Sequence, residues 1–173
     1  MNSGGGNDVL IRPAAAKDAV SIEIILSTYF LDRDDILHER FFVAEKNDKV
    51  VGCAVFEKLK TPEIEDVFFE IHTIAVLPPY KGKGIGRMLL DRLFAEIEKE
   101  IKTENSAEKT KPLTAIYTRT TAPNFFIREG FEKADIDKKK YWSECVECSR
   151  IDICSQTVLF KQLSALKSNG KEK

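Results

Sequence analysis

The sequence predicts a mixed α/β fold, a single domain with one central mixed sheet and helices on both faces. Three observations carry that expectation. The chain has 173 residues, a length suited to one domain with a full core rather than to two. Short β-branched and aromatic runs alternate with segments of helical periodicity, the pattern of a sheet with crossover helices. Hydrophobic residues make up 43% and charged residues 32%, a globular composition far from that of a disordered chain.

The elements follow in order. Residues 1–8 read as a flexible lead, and Val9, Leu10, Ile11 and Arg12 as a short strand closed by Pro13. Asp18 is placed to cap a helix whose face carries Ile22, Ile25, Leu26 and Tyr29. Residues 32–40 are a charged helical or loop stretch. Residues 41–44 and 50–56 flank a turn containing Asn47-Asp48, a hairpin signature. After the Thr61-Pro62 break, residues 67–76 form the longest strand candidate, ended by Pro78-Pro79. A glycine-rich stretch then runs into a helix with Leu90, Leu93, Phe94, Ile97 and Ile101 on one face. Residues 102–112 read as a polar surface loop, 113–117 as a strand, and 122–129 as a short helix with Gly130 at its C-cap. Another strand is expected from Phe131, a last one over 157–163, and a flexible tail over 164–173. The domain therefore spans 9–163, with 132–156 a cysteine-bearing segment.

Composition narrows the function classes. Lys and Arg number 27 against 28 Asp and Glu, a net charge of -1, so the basic excess of a general nucleic-acid binder is missing. No apolar run has the length of a membrane span, and the first residues lack a charged-then-apolar signal pattern. A cytoplasmic protein with no membrane or nucleic-acid partner is the expectation. Cys145, Cys148 and Cys154 make a C-x2-C-x5-C cluster, and Cys53 stands apart in an apolar run. Three thiolates with Cys53 or a histidine are candidates for a zinc or iron–sulfur site. A structural zinc takes four ligands, so reduced thiols and no metal are the expected state.

The stretch Lys81-Gly82-Lys83-Gly84-Ile85-Gly86-Arg87 carries the chemistry. Alternate glycines between a strand and a helix let the backbone approach a ligand closely. The helix start adds N–H donors and a positive dipole end, and Lys81, Lys83 and Arg87 add charge: an anion cradle suited to a pyrophosphate. A P-loop is excluded because Arg87 follows the last glycine, and the dinucleotide fingerprint because Leu89 stands at its third glycine.

With Ile74 to Tyr80 upstream and A-P-N-F-F-I-R-E-G-F from Ala122 downstream, the chain resembles the GNAT superfamily of acetyl-CoA-dependent N-acetyltransferases. The family motif [Q/R]-x-x-G-x-[G/A] falls on Lys81–Gly86, with Lys at the Gln/Arg place. The element A-x-x-x-[YF]-x-x-x-G-F falls on Ala122, Phe126, Gly130 and Phe131. The resemblance implies acetyl-CoA as co-substrate and a central sheet splayed beside the 67–76 strand. The main chain of Ile74, Ala75 and Val76 would then meet the acetyl carbonyl and pantetheine, and Lys81, Gly82, Lys83, Gly84, Ile85, Gly86, Arg87, Asn124 and Phe126 would line the rest of the cofactor. It also makes Glu70 the candidate general base, with His72 on the same strand face as the second candidate. Phe126 stands where many relatives carry a tyrosine acid and has no proton to give, so either water or another group protonates the thiolate, with Tyr117 a candidate that also reads as a core tyrosine. Thr118 and Arg119, in a Thr-Arg-Thr segment comparable to that of bacterial N-acetylglutamate synthases, are candidates for the substrate side, with Arg119 clamping a carboxylate, and the resemblance puts the cysteine-bearing 132–156 segment on that side too. The expected acceptor is therefore a small amine, best an amino acid such as glutamate. The alternatives are a catalytically silent acyl-CoA-binding or sensing domain and a protein or peptide N-acetyltransferase. A homodimer through the last strands is compatible with the resemblance.

Overall fold

The structure is a computed structural model that describes residues 9–62, 67–104 and 115–163. The N-terminal lead, the C-terminal tail and most of the polar 102–112 loop named above fall outside the described residues. The mixed α/β class expected from the sequence holds. The described strands are β1 (Leu10–Pro13), β2 (Phe42–Lys46), β3 (Lys49–Lys60), β4 (Val67–Val76), β5 (Ala115–Thr120), β6 (Glu132–Lys133) and β7 (Thr157–Gln162). They form one sheet in the order β1-β2-β3-β4-β5-β7-β6. The helices are α1 (Ala19–Thr28), α2 (Ile85–Glu104), α3 (Pro123–Arg128), α4 (Lys138–Tyr141) and α5 (Ser143–Val146). The chain divides into two compact units, Met1–Val55 with Thr73–Glu96, and Phe56–His72 with Ile97–Lys173.

In the first unit, β1, β2 and β3 pair antiparallel. Pro13 closes β1 from inside the ladder, opposite Phe42, which a strand at the sheet edge tolerates. The β2–β3 turn is two residues long, and Asn47 and Asp48 both take positive φ, 49° and 59°. That is the twist-matched turn an Asn-Asp pair is suited to. The middle of β3 is buried on both faces from Val51 to Phe56. Gly52 has a packing reason there: a Cβ would meet the Ala75 carbonyl oxygen at 3.0 Å and a Leu89 methyl at 3.2 Å. Ile22, Ile25 and Leu26 of α1 pack with Phe41, Val43, Cys53 and Val55, and Tyr29 lies against the cluster. Asp18 does not cap α1 as expected. Its carboxylate accepts from Arg12 and from the Ala15 N–H at the start of the preceding 3-10 turn, and makes no cap bond to the helix.

The glycine stretch leads into α2, whose Ile85, Leu89, Leu90, Leu93 and Ile97 are fully buried. Phe94 and Ile101, expected on the same face, are only half-buried. The helix runs through Lys102 to Glu104, so the expected loop begins later than residue 102.

In the second unit, β4 and β5 pair in parallel at Phe69–Ile116 and Glu70–Tyr117, and β5 pairs antiparallel with β7 from Ala115 to Thr120. Thr118, Arg119 and Thr120 thus belong to the strand rather than following it, because the β7 ladder carries the extended backbone through them. Helix α3 ends in a Schellman motif: Gly130 has φ of 83°, the Phe131 N–H reaches the Phe126 carbonyl and the Gly130 N–H reaches the Ile127 carbonyl. The expected strand after Phe131 is only the two-residue β6. The cysteine-bearing segment holds α4, α5 and a 3-10 turn over Ile151–Ile153. There Trp142, Cys145 and Val158 pack on Phe68, with Tyr117 and Tyr141 against them.

Candidate functional site

The anion cradle belongs to the first unit. A 3-10 turn at Pro78–Tyr80 ends β4, and Gly82 and Gly84 then take φ of 72° and 80°, values that L side chains rarely adopt. No atom lies within 4 Å of a Cβ built on either glycine, so the space beside the backbone is open. Gly86 differs from the other two because it lies inside α2. The Gly84 carbonyl accepts the first α-helical bond, from Met88 N–H. The N–H groups of Ile85 and Gly86 therefore precede the helical ladder, where an anion is favoured.

Three exposed cations surround that backbone. The Lys81 ammonium lies 4.3 Å from the centre of the Tyr29 ring. Lys83 donates to the Pro79 carbonyl at 3.0 Å, and Arg87 stands 3.9 Å from Asp91. The hydroxyl of Tyr29 donates to the Val76 carbonyl at the end of β4. Tyr29 therefore links the cradle lysine to the strand whose main chain was expected to meet the thioester. Helical spacing placed Tyr29 on the core face of α1, and nothing in the sequence pointed its hydroxyl at Val76. Ala75 and Val76 are buried and Ile74 half-buried.

The candidate catalytic groups lie in the second unit. Glu70 and Arg119 were expected in separate roles, and the structure makes them a pair. Arg119 Nε donates to Glu70 Oε1 at 2.8 Å and Nη2 to Oε2 at 3.3 Å. The period-two side-chain alternation of β4 and β5, in register at Glu70–Tyr117, brings the two to one face. Glu70 is 2% exposed. Burial pushes its carboxyl above the usual glutamate range, and the Arg119 guanidinium pulls it only part of the way back. Burial also opposes the Arg119 charge, but the bonds from Glu70, with Glu144, more than restore it and raise its pKa.

Arg119 also reaches Glu144 Oε1 of α5 at 2.7 Å with Nη2, and its guanidinium lies 4.6 Å from the Trp142 ring centre. The buried Trp142 indole N–H is directed at the Glu70 carboxylate and, like Arg119, opposes the upward shift of its carboxyl. Glu144 and Trp142 escaped the sequence reading because their link to Arg119 spans more than 20 residues with no motif.

The other named residues fall as follows. His72 is half-buried, with Nδ1 3.8 Å from Glu57 Oε2. Thr118 is buried, and its hydroxyl donates to the Ile71 carbonyl at 2.9 Å, so it ties β5 to β4 on the face opposite Arg119. The structure does not bring it beside Arg119. Tyr117 packs edge-on against Phe68 and is pushed up to about 12, first by burial and then by Tyr141, which makes it a poor proton donor at neutral pH. Phe126 packs against Phe131, and Asn124 is exposed on α3.

All four cysteines are free. Among the described residues, no three His, Cys, Asp or Glu side chains gather as a metal set, so Cys145, Cys148 and Cys154 are not assembled as ligands. Arg119 Nη1 stands 3.6 Å from the Cys145 sulfur, and Lys138 stands 3.2 Å from the Cys154 sulfur. Cys145 and Cys154 thus each have a cation beside the sulfur.

A family model described as an acetyltransferase (GNAT) domain matches residues 37–133. An uncharacterized N-acetyltransferase of Chlorobaculum tepidum is 28% identical over 169 residues, 90% of this chain and 97% of its own length. The amino-acid acetyltransferase of Mycobacterium tuberculosis is 29% identical over 137 residues, 73% of this chain and 70% of its own. Among solved structures, the N-acetylglutamate synthase of Neisseria gonorrhoeae, complexed with coenzyme A and N-acetyl-glutamate, aligns with a TM-score of 0.62 at 21% identity. That match covers 90% of this chain and 35% of the synthase, about a third of its length, and bears on the fold alone.

Proposed function

The chain belongs to the GNAT acetyltransferase family, and on that premise we propose that it moves an acetyl group from acetyl-CoA to the amine of a small molecule, best an amino acid such as glutamate. The observation that carries the reading is the cradle: open space beside two positive-φ glycines, unladdered N–H groups at a helix start, and three cations together. This suits the pyrophosphate of coenzyme A. The similarity to an amino-acid acetyltransferase supports the acceptor class.

In the reaction the amine nitrogen attacks the thioester carbonyl, forming the C–N bond as the C–S bond breaks. One proton leaves the nitrogen and one reaches the departing thiolate. Glu70 is the first candidate to take the amine proton and His72 the second, directly or through a water. Since Phe126 has no proton to give and Tyr117 holds its own too tightly, water is the acid this reading assigns. A second reading, a silent acyl-CoA-binding domain, is favoured by one observation: the Glu70 carboxylate is engaged by Arg119.

A thiol-release screen with glutamate, other amino acids, polyamines and peptides tests both. Turnover with a small amine is expected, and Glu70→Gln should lower kcat roughly a hundredfold or more if Glu70 is the base. In that case the acid limb of kcat/KM lies above the usual glutamate range, because burial raises the Glu70 carboxyl. If Glu70→Gln retains both rate and limb while His72→Asn loses them, His72 is the base. Acetyl-CoA binding with no turnover on any amine establishes the silent reading instead.

A further inference from the structure

Arg119 is bonded to two carboxylates, and they differ in a way that identifies one as exchangeable. Glu70 is buried, shares the sheet face with Arg119, and holds Nε and Nη2 in a fork. Glu144 is bonded to Nη2 alone, from the four-residue helix α5, with a side chain 60% exposed. A pair with one solvated partner is weak and exchanges readily with dissolved anions. Among the described residues, the remaining nitrogen, Nη1, faces only the Cys145 sulfur at 3.6 Å, a weak acceptor. Beneath the guanidinium lies Trp142, whose buried indole N–H is directed at the Glu70 carboxylate and helps to hold it.

We infer that the Nη edge of Arg119 is a carboxylate subsite and that Glu144 is its displaceable occupant, a stand-in for the carboxylate of an amine substrate. This rests on the acetyltransferase reading only for the word substrate. An incoming carboxylate takes Nη1 and Nη2 as a two-point fork, which Glu144 does not do. The exchange conserves charge, since one carboxylate leaves the guanidinium as another arrives. Glu70 stays in place on the Nε side and keeps Arg119 aimed. Glu144 thus sets specificity: it competes with every carboxylate ligand and gives nothing to an amine that lacks one.

Trp142 is the only tryptophan of the chain, so its fluorescence reads this site without acetyl-CoA and without turnover. The full chain is titrated with L-glutamate, L-alanine and L-lysine as carboxylate-bearing amines, and with putrescine as an amine without a carboxylate. At least one amino acid should change the emission saturably, while putrescine leaves it unchanged. In Glu144→Gln the half-saturating concentration of that amino acid should fall roughly two- to fivefold, the range expected for removing one exposed ionic competitor. An unchanged or higher value in Glu144→Gln, an equal response to putrescine, or no response to any amino acid would overturn the inference. Thiol release measured in parallel separates the two failures. An amino-acid response without turnover supports the subsite and counts against the enzyme, whereas turnover of putrescine without any amino-acid response does the reverse.

Discussion

Asp18 shows how much one side chain settles at the start of the first unit. It is 3% exposed, accepts from Arg12 Nη1 at 2.6 Å and Nη2 at 3.0 Å, and takes the Ala15 N–H at 2.8 Å. Arg12 in turn holds Glu45 of β2, so one guanidinium joins β1, β2 and the entry to α1. The Arg12 bonds hold the Asp18 carboxyl below the usual aspartate range, against the opposing effect of burial. A folded-state pKa below the unfolded one stabilises fully above the unfolded value, and that contribution is lost as pH falls through the folded value. Asp18→Asn should therefore lower stability by about 2 kcal/mol at neutral pH, the size of a charged hydrogen bond lost from a buried site. The difference between the two proteins should begin to shrink below about pH 4, where the unfolded aspartate protonates, and go on shrinking until the pH falls through the lower folded value. Urea unfolding at pH 7 and pH 3 measures it. The same gap at both would mean that shape rather than charge holds Arg12.

At the scale of elements, the parts that were legible in the sequence are those whose signals are local. Asn47-Asp48 marked the β2–β3 turn, and the spacing of Leu90, Leu93 and Ile97 marked α2, because both the cause and its consequence lie within a few residues. Gly130 announced the end of α3 for the same reason. The extent of β5 was not legible. Thr118, Arg119 and Thr120 are extended because Leu159, Val158 and Thr157 pair with them from about 40 residues away. Helices α4 and α5, four residues each, are too short to show a period. The hairpin offers a direct test of a local signal. Asp48 has φ of 59°, a region where glycine avoids the Cβ conflict that aspartate only tolerates. Asp48→Gly should raise stability by about 0.5 kcal/mol, the relief of strain exceeding the added freedom of the unfolded chain. A drop in the urea midpoint would show that the Asp48 side chain contributes more than its backbone strain costs.

For the molecule as a whole, the candidate site was legible in its backbone and charges but not in its pairings. The cradle could be read because glycines, cations and a helix start are consecutive in the chain. The Glu70–Arg119–Glu144 set could not, since its members meet only after β4, β5 and α5 are placed. The same distinction sharpens what net charge says about ligands. With Lys and Arg at 27 and Asp and Glu at 28, the net charge of -1 gives the chain almost no long-range field. The charge attraction for a polyanion then comes at short range, from Lys81, Lys83 and Arg87 beside the backbone donors. Raising salt from about 0.1 M to about 1 M shortens the screening length from roughly 10 Å to roughly 3 Å. That shorter length is comparable to a single ion-pair contact, so the cations are screened while the backbone donors at Ile85 and Gly86 are not. Acetyl-CoA should bind roughly tenfold more weakly at the higher salt. A variant carrying Lys81→Ala, Lys83→Ala and Arg87→Ala should bind weakly at both and show little salt dependence. Calorimetric titration of both proteins at the two salt concentrations measures the slopes. A wild-type affinity indifferent to salt would mean that the backbone alone holds the ligand and that the three cations are solvated surface charge.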